Sequence, residues 1–363
     1  MNELEMARKI INEVDEQMAA LFEKRMYASE LVAKYKKEHG LSILDEAREN
    51  EVVRKNSAMI KNSVYQEYYT DFIKGTMRIS RAYQSRLNEG LRVAYSGVEG
   101  AYAYIAAKKM YPCAVLVPYS DFESAYTAVE KGECDVCVLP IENSYAGDVS
   151  TVMDLMFSGN LYVNQVISLP ISHCLMANKG VELKDIKKVV SHPQALAQCA
   201  SYIKENAFAA IAQENTAVSA KYVFENGLTD TAAIASRETA ELFGLEILAS
   251  GINASRTNTT RFLAFSRAQN NINSQSRKMN QHFILMFTVK NEAGALAKTI
   301  DIIGAYGFNM RNLHSRPMKE LLWNYYFYVE AEGSIGSQAG ADMLRALSAT
   351  CDKLKLVGAY ISD

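Results

Sequence analysis

The sequence predicts a multidomain protein with three parts: an all-α segment of three helices, a two-lobed α/β body and a small α/β module. Three observations support this division. No proline precedes Pro112, strand-like and helix-like runs alternate from Leu91 to Arg267, and a polar stretch without periodicity follows Arg267. Because domains usually contain about 100–150 residues, a chain of 363 residues has room for two or three of them.

The composition is typical of a soluble globular protein. The chain is 49% apolar and 22% charged, and its net charge of -2 gives no bulk attraction to nucleic acid or to an anionic membrane. No apolar run approaches the length of a bilayer, and the first residues lack the order of a signal peptide. Six cysteines scattered in apolar segments favour reduced thiols. We therefore expect a cytoplasmic protein without metal or cofactor.

The first ninety residues predict long helices joined by short turns. Only Gly40, Gly75 and Gly90 interrupt them. Apolar residues recur at helical spacing in the first helix, at Ile10, Val14, Met18, Leu21, Leu31 and Tyr35. The predicted helices run from about Leu4 to Glu38, from Ile43 to Lys61 and from Tyr65 to Leu87.

Cationic and polar side chains recur on single faces of these helices. Arg25 and Lys36 are eleven residues apart, which places them on one face about 16 Å apart. Arg8 would lie about 42 Å from Lys36, so the two cannot hold one small ligand within one chain. Further polar residues follow at helical spacing on the second and third helices, at Asp45, Arg48, Glu49, Ser80 and Gln84. Each set alone is typical of a solvated face.

Taken together, this segment resembles the all-helical chorismate mutase of bifunctional chorismate mutase/prephenate dehydratases, an intertwined dimer of three-helix chains. The resemblance implies that chorismate is bound by all eight polar residues, with Arg8 supplied by the other subunit. The rearrangement needs only donors and cations around the breaking ether bond. Arg8 and Arg25 would clamp carboxylates, Lys36 and Gln84 would hydrogen-bond the ether oxygen, and Glu49 would hold the ring hydroxyl.

The central region, from Leu91 to about Arg267, predicts two consecutive α/β series. Strand-like runs alternate with helices in βαβαβ order, which indicates largely parallel sheets. Two lobes with a cleft between them are the natural assembly, similar to a periplasmic-binding-protein architecture. Polar residues follow several of these strands, at Glu142, Asn143, Ser144, Ser191, Gln198 and in the run from Asn258 to Phe262.

The Pro-Ile-Glu-Asn-Ser and Thr-Arg-Phe runs, with the other strand ends, match the prephenate dehydratase domain. The resemblance implies that prephenate loses its ring carboxylate and hydroxyl to give phenylpyruvate, carbon dioxide and water. Thr260 is the candidate proton donor, or alternatively a hydrogen-bond donor to the leaving oxygen. Arg261 would orient the substrate. The other expected substrate-binding residues are Glu142, Asn143, Ser144, Ser191, Gln198 and Phe262, whereas His192 is expected to be structural.

Residues 268–281 predict a flexible polar linker, and residues 282–363 predict a βαββαβ module of ferredoxin-like order. This module resembles the ACT domain that ends prephenate dehydratases and senses phenylalanine at a dimer interface. The ligand motifs of that domain correspond to Gly294, Ala295, Leu296 and Ala297 and to Leu313, His314, Ser315 and Arg316. His314 stands where the family usually has glutamate. A domain retained only for dimer packing is the alternative.

The predicted domains are residues 1–90 (mutase), 91–267 (dehydratase), 268–281 (linker) and 282–363 (ACT). The predicted protein is a homodimer or higher homo-oligomer that makes phenylpyruvate from chorismate under feedback control by phenylalanine. Two rivals are a small-molecule sensor and a dehydratase whose helices serve only as a dimerisation arm. The joint presence of Lys36, Glu49 and Thr260 favours the enzyme over both.

Overall fold

The computed structural model describes residues 2–255, 257–269, 280–318 and 324–362. The chain divides into two compact units, Met1–Arg92 and Val93–Asp363. Most of the predicted linker therefore lies outside the described residues. None of the helices in the described ranges is long and apolar enough to cross a membrane.

The first unit contains three helices, α1 (Glu3–Glu38), α2 (Glu46–Ser57) and α3 (Ser63–Glu89). Asn2 and Glu5 form a capping box at the start of α1. The second helix begins later than predicted because Asp45 caps it, accepting a hydrogen bond from the Arg48 backbone N–H at 2.9 Å, and it also ends earlier than predicted, at Ser57. Both α1 and α2 pack against α3.

Much of the apolar surface of α1 is not covered within one chain. Only Ser29 and Ala33 of this helix are buried. Its large apolar side chains are exposed at Leu4, Met6, Ile10, Ile11, Val14, Met18, Leu21, Phe22, Tyr27, Leu31, Val32 and Tyr35. An exposed apolar stripe of this length is typical of an interaction surface.

The second unit begins with β1 (Arg92–Ser96), α4 (Tyr102–Met110), β2 (Val115–Tyr119), α5 (Phe122–Lys131), β3 (Val136–Asn143), β4 (Gly147–Asp148), α6 (Ser150–Ser158) and β5 (Tyr162–Pro170). It continues with β6 (Cys174–Ala177), β7 (Lys188–Ser191), α7 (Pro193–Gln198), α8 (Ala200–Glu205), β8 (Ala209–Ala212), α9 (Thr216–Glu225), β9 (Thr231–Ala235), α10 (Arg237–Phe243), β10 (Glu246–Ser250) and β11 (Thr259–Ser266).

These strands form two sheets. The smaller has the order β10-β6-β9-β7-β8. In the larger, β1 and β3 are parallel, whereas β11 lies antiparallel between β3 and β5, so the sheet is mixed.

The chain crosses between the sheets twice, from β5 to β6 and from β10 to β11. The two crossing segments are hydrogen-bonded to each other: the Ile171 N–H donates to the Asn258 carbonyl oxygen at 2.8 Å, and the Asn253 side chain bonds the backbone of both Ile171 and His173.

The C-terminal module contains β12 (Gln281–Thr288), α11 (Ala295–Ala305), β13 (Asn309–Pro317), β14 (Tyr325–Glu332), α12 (Gln338–Ser348) and β15 (Lys353–Ile361). Its element order is βαββαβ, as expected from the sequence. The strands are arranged β13-β14-β12-β15, and all neighbours are antiparallel.

This module is not separate from the α/β body, which corrects the sequence expectation. β15 pairs with β5 where Gly358 meets Val163, so the module extends the larger sheet. A Cβ at Gly358 would lie 2.0 Å from the Val163 carbonyl oxygen, so the approach requires glycine. One face of β12 packs on α11 and α12, and the other joins a core shared with α6. The physical reason is that both faces of β12 are apolar, which is typical of a strand buried on both sides.

Candidate active sites

A cavity of about 280 Å³ lies between the three helices of the first unit. Seven of the eight side chains predicted to bind chorismate line it: Arg25, Lys36, Asp45, Arg48, Glu49, Ser80 and Gln84. Apolar side chains of α1, α2 and α3 complete the walls. A cavity with this many cations and amides, and with apolar walls, is suited to a small anionic ligand.

The charged groups of this cavity are held by neighbouring helices. Arg25 donates to the Ser80 hydroxyl and to the Thr76 carbonyl oxygen, the latter at 3.3 Å, and burial lowers the pKa of Arg25. Lys36 Nζ donates to the Ile43 carbonyl oxygen at 2.6 Å. Gln84 is buried, and within the described ranges its Oε1 has no hydrogen-bond partner.

Two further features of this site concern Arg81 and Arg8. Arg81 forms an ion pair with Glu49 and also lines the cavity. Arg81 lies four residues after Met77, which also lines the cavity, so helical spacing places the two on one face. This spacing could have added Arg81 to the predicted site. Arg8 lies near the far end of the continuous helix α1 and does not line the cavity. Within one chain, the set of predicted residues is therefore incomplete.

In the second unit, Thr260 is half-buried and belongs to a cluster with two buried asparagines. Asn143 Nδ2 donates to Thr260 Oγ1 and to Asn258 Oδ1, each at 2.8 Å. Asn143 Oδ1 accepts from the backbone N–H groups of Tyr145 and Ala146, at 3.0 and 2.8 Å. The end of β3 thereby fixes the hydroxyl group at the start of β11.

Ser144 holds the same loop to the backbone of β11. Its backbone N–H donates to the Thr259 carbonyl oxygen at 2.9 Å, and its Oγ accepts from the Thr259 N–H at 3.0 Å. Thr259 Oγ1 donates to the Thr257 carbonyl oxygen at 3.3 Å, as expected for a residue that satisfies backbone groups. Phe262, expected to contact substrate, is buried.

Arg261 and Glu142 lie on the opposite face of the sheet from Thr260 and Asn143, because adjacent strand residues point to opposite faces. The guanidinium group of Arg261 donates to both oxygens of Glu330 on β14, at 2.9 and 2.7 Å, and lies 3.6 Å from Glu142. Tyr328 and Tyr360 also donate to Glu330. Burial opposes both charges, but their mutual hydrogen bonds outweigh it, so that the pKa of Arg261 is raised and that of Glu330 is lowered.

The residues predicted on the second sheet make separate contacts. Ser191 Oγ donates to the Ile234 carbonyl oxygen at 2.6 Å. Gln198 Oε1 lies 2.8 Å from His173 Nε2, and burial lowers the pKa of His173. His173 Nδ1 lies 3.3 Å from the Tyr102 hydroxyl. His192 caps α7 by accepting from the Gln194 N–H, in keeping with its expected structural role.

The two predicted effector segments lie at the start of α11 and on β13. Gly294 occupies the N-cap of α11 with φ of 82°. On β13, the side chain of His314 contacts Asp148, with Nδ1 and Oδ2 2.7 Å apart, and Arg316 Nη1 donates to Ser150 Oγ at 2.6 Å. Leu313 pairs across the sheet with Val329, which packs against the module's helices, and Leu313 itself is exposed. The side chains of His314 and Arg316 therefore point towards the α/β body, whereas Leu313 lies on the opposite face of β13.

A helical cavity lined by cations and amides, beside a two-sheet α/β unit with a hydroxyl–amide cluster, defines an enzyme for small carboxylated substrates. Comparison with known proteins identifies both parts. The chorismate mutase type II family matches residues 7–85, and the prephenate dehydratase family matches residues 93–270.

Three relatives illustrate the likeness. A chloroplastic arogenate dehydratase/prephenate dehydratase from Arabidopsis thaliana is 35% identical over 75% of this chain and 73% of its own length. A bifunctional chorismate mutase/prephenate dehydratase from Buchnera aphidicola is 28% identical over 100% of this chain and 97% of its own length. The solved structure of prephenate dehydratase from Arthrobacter aurescens in complex with L-Phe is 27% identical, with a TM-score of 0.68 over 75% of this chain and 90% of that one.

The chain belongs to the prephenate dehydratase family and, with its mutase segment, to the bifunctional chorismate mutase/prephenate dehydratases. It converts chorismate to prephenate and prephenate to phenylpyruvate in phenylalanine biosynthesis. The predictions of family and of both enzymatic activities are confirmed.

Proposed function

We propose that the helical cavity is the mutase site and that it is completed by a second copy of the chain. Arg25 and Lys36 line the cavity, whereas Arg8 does not, although all three are expected to contact chorismate. The long exposed apolar stripe of α1 supports a homodimer in which α1 of each chain packs on the other. In that arrangement Arg8 reaches the partner's cavity.

The charge of each residue in this cavity then determines which part of chorismate it binds. Arg8, Arg25 and Arg48 bind the two carboxylates, Lys36 and Gln84 donate to the ether oxygen as charge develops there, and Glu49 accepts from the ring hydroxyl. Asp45 and Ser80 hold the start of α2 and the Arg25 guanidinium, respectively.

The dehydratase reaction centres on Thr260, and one observation carries this proposal. Asn143 Nδ2 can only donate, so Thr260 Oγ1 accepts that hydrogen bond and its own proton is free for another acceptor. As carbon dioxide leaves, the C–C bond electrons enter the ring and the C–O bond breaks with its electron pair on oxygen. The Thr260 hydroxyl donates to that oxygen, which leaves as hydroxide and is protonated to water by solvent.

The remaining dehydratase residues divide into two groups. Asn143 and Ser144 hold the side chain of Thr260 and the backbone of β11, whereas Ser191 and Gln198 contact the substrate from the side of the second sheet. Glu142, Arg261 and Phe262 lie in contacts that fix β11, which favours a supporting role over the direct substrate contact expected from the sequence. Prephenate, rather than arogenate, is favoured as substrate because the mutase segment of the same chain produces it.

We further propose that the C-terminal module is an ACT domain that binds phenylalanine. The enzyme is proposed to be cytoplasmic, in keeping with six cysteines that are reduced thiols. The bound L-Phe in the relative from Arthrobacter aurescens supports this effector. The exposed backbone at Gly294 and the apolar side chain of Leu313 offer donors for its carboxylate and surface for its ring.

Replacing Thr260 with valine tests the dehydratase proposal, because valine keeps the shape and removes the hydroxyl. We expect dehydratase kcat to fall about 10²- to 10⁴-fold, and Thr260→Ser to restore most of it. Thr259→Val is the matched control, and mutase activity of the same chain reports on folding. A Thr260→Val enzyme with near wild-type dehydratase kcat would remove Thr260 from the mechanism. Assaying arogenate beside prephenate settles the substrate.

A further inference from the structure

Asn258, which directly precedes β11, has a side-chain amide whose orientation is fixed by its neighbours. Asn143 Oδ1 accepts from two backbone N–H groups, those of Tyr145 and Ala146. The Asn143 Nδ2 group is therefore the one directed at Asn258 and Thr260. Because Nδ2 can only donate, Asn258 must present Oδ1 to it, at 2.8 Å.

The Nδ2 group of Asn258 is consequently directed elsewhere. Asn258 is 3% exposed, and within the described ranges its Nδ2 has no hydrogen-bond partner. Buried amide groups in native proteins are nearly always paired, so this Nδ2 requires a partner from outside the chain, either a water molecule or a ligand. The position is also rigid, because the Asn258 carbonyl oxygen accepts from the Ile171 N–H in the neighbouring crossing segment.

Asn258 Oδ1 and Thr260 Oγ1 both accept from Asn143 Nδ2, each at 2.8 Å, so the two side chains meet at one point. We propose that Asn258 Nδ2 is a second hydrogen-bond donor to the oxygen that leaves the substrate ring, acting beside the Thr260 hydroxyl. This inference rests on the proposed role of Thr260. Two preorganised donors aimed at one developing negative charge stabilise the transition state more than the ground state.

The asparagine was not among the residues expected from the sequence, although it begins the run that ends in Thr-Arg-Phe. An asparagine before a strand is usually a turn or cap residue that bonds its own backbone. Here the side-chain oxygen bonds Asn143 instead. The distinction depends on a contact across 115 residues of chain and is visible only in the fold.

The test compares two substitutions in the full chain. Asn258→Asp keeps the acceptor for Asn143 and removes the donor, and Asn258→Ala removes both. We expect each to lower dehydratase kcat about 10- to 1000-fold, with KM of the alanine variant little changed and mutase kcat unaffected. In N258D, protonation of the new carboxyl restores a donor, so its kcat relative to wild type should rise as pH falls.

Asn164→Asp is the matched control. Asn164 Nδ2 donates to Ser266 Oγ and to the Ala268 carbonyl oxygen at the opposite end of β11, so its loss should lower the melting temperature and leave dehydratase kcat unchanged. The double variant N258A/T260V should lose less than the product of the two single losses, because both donors act on one oxygen.

Three outcomes would overturn the inference. Wild-type kcat in both Asn258 variants, while Thr260→Val is impaired, would refute the proposed donor role of Asn258 and leave that of Thr260 intact. A raised KM with unchanged kcat would assign Asn258 to ground-state binding instead. Near wild-type kcat in Thr260→Val would refute the proposed role of Thr260, on which the pair depends.

Discussion

Replacing Glu330 with glutamine should destabilise the second unit through the buried ion pair that joins β11 to the C-terminal module. Glu330 is 3% exposed and accepts two hydrogen bonds from Arg261, at 2.7 and 2.9 Å. Tyr328 and Tyr360 donate to the same carboxylate. Glutamine keeps the shape but cannot accept both guanidinium bonds or balance the charge.

The magnitude follows from the burial of the pair. Removing one partner of a buried ion pair costs about 3–5 kcal/mol, because the other charge stays buried without compensation. Glu142 lies 3.6 Å from Arg261 and supplies part of the missing charge, so the lower end of this range, about 3 kcal/mol, is expected. For a unit of this size that corresponds to a melting temperature lower by roughly 6–12 °C.

The effect should depend on pH in a defined direction. The pKa of Glu330 is lowered in the folded protein: burial would raise it, but the hydrogen bonds from Arg261 outweigh burial. A carboxyl group with a lowered pKa stabilises the fold above its unfolded pKa of about 4.3, and the contribution is lost as pH falls through the folded value. The difference between wild type and Glu330→Gln should therefore be full at pH 7 and shrink in acid.

Thermal unfolding followed through loss of dehydratase activity and by circular dichroism, at pH 7 and in steps below pH 5, measures both effects. Glu332→Gln is the control, because Glu332 lies on the same strand in a more exposed ion pair with Arg311 and should change little. A Glu330→Gln melting temperature within about 2 °C of wild type at pH 7 would show that the buried ion pair does not stabilise this unit, since a decrease of roughly 6–12 °C is expected. A difference in melting temperature that does not shrink in acid would equally contradict the role of the Glu330 carboxylate.

Two further predictions concern the other sites. Mixing an Arg8→Ala chain with a Lys36→Ala chain should restore part of the mutase activity that each lacks alone, since one site of the mixed dimer keeps both residues; verified heterodimers without recovery would contradict a shared site. His314→Glu places a carboxylate opposite Asp148, which should weaken the contact between β13 and the α/β body and lower the phenylalanine concentration for half-inhibition. Calorimetry and dehydratase assays on the full chain measure this, and a higher concentration would count against it.

The element order was largely readable from the sequence because local signals agreed. Glycine and proline placement gave the three helices of the first unit, and the cavity there gathers seven of the eight predicted side chains. Helical spacing places the polar residues of each helix on one face, so the sequence groups the same residues that the structure brings into the cavity. The second helix was overestimated, because Asp45 ends the preceding loop as a cap.

What could not be read were the contacts between distant segments. Glu330 lies in an apolar strand and meets Arg261 across 69 residues of chain, and nothing local to either marks the pair. Likewise, the apolar residues from His282 to Thr288 form a strand that is buried on both faces. The prediction of a separate module assumes burial on one face only, and it is wrong for that reason.

The alternation of residues along β13 bears directly on regulation. Leu313 and Ser315 are exposed on one face, where the effector is proposed to bind, whereas His314 and Arg316 on the other face contact Asp148 and Ser150 of the α/β body. A ligand that shifts β13 must therefore alter these contacts. Asp148 pairs across β4 and β3 with Glu142, whose neighbour Asn143 holds both Thr260 and Asn258. Effector binding shifts activity only as far as it favours one arrangement of these contacts over another, so we expect the strength of the His314–Asp148 contact to set the phenylalanine response proposed for this chain.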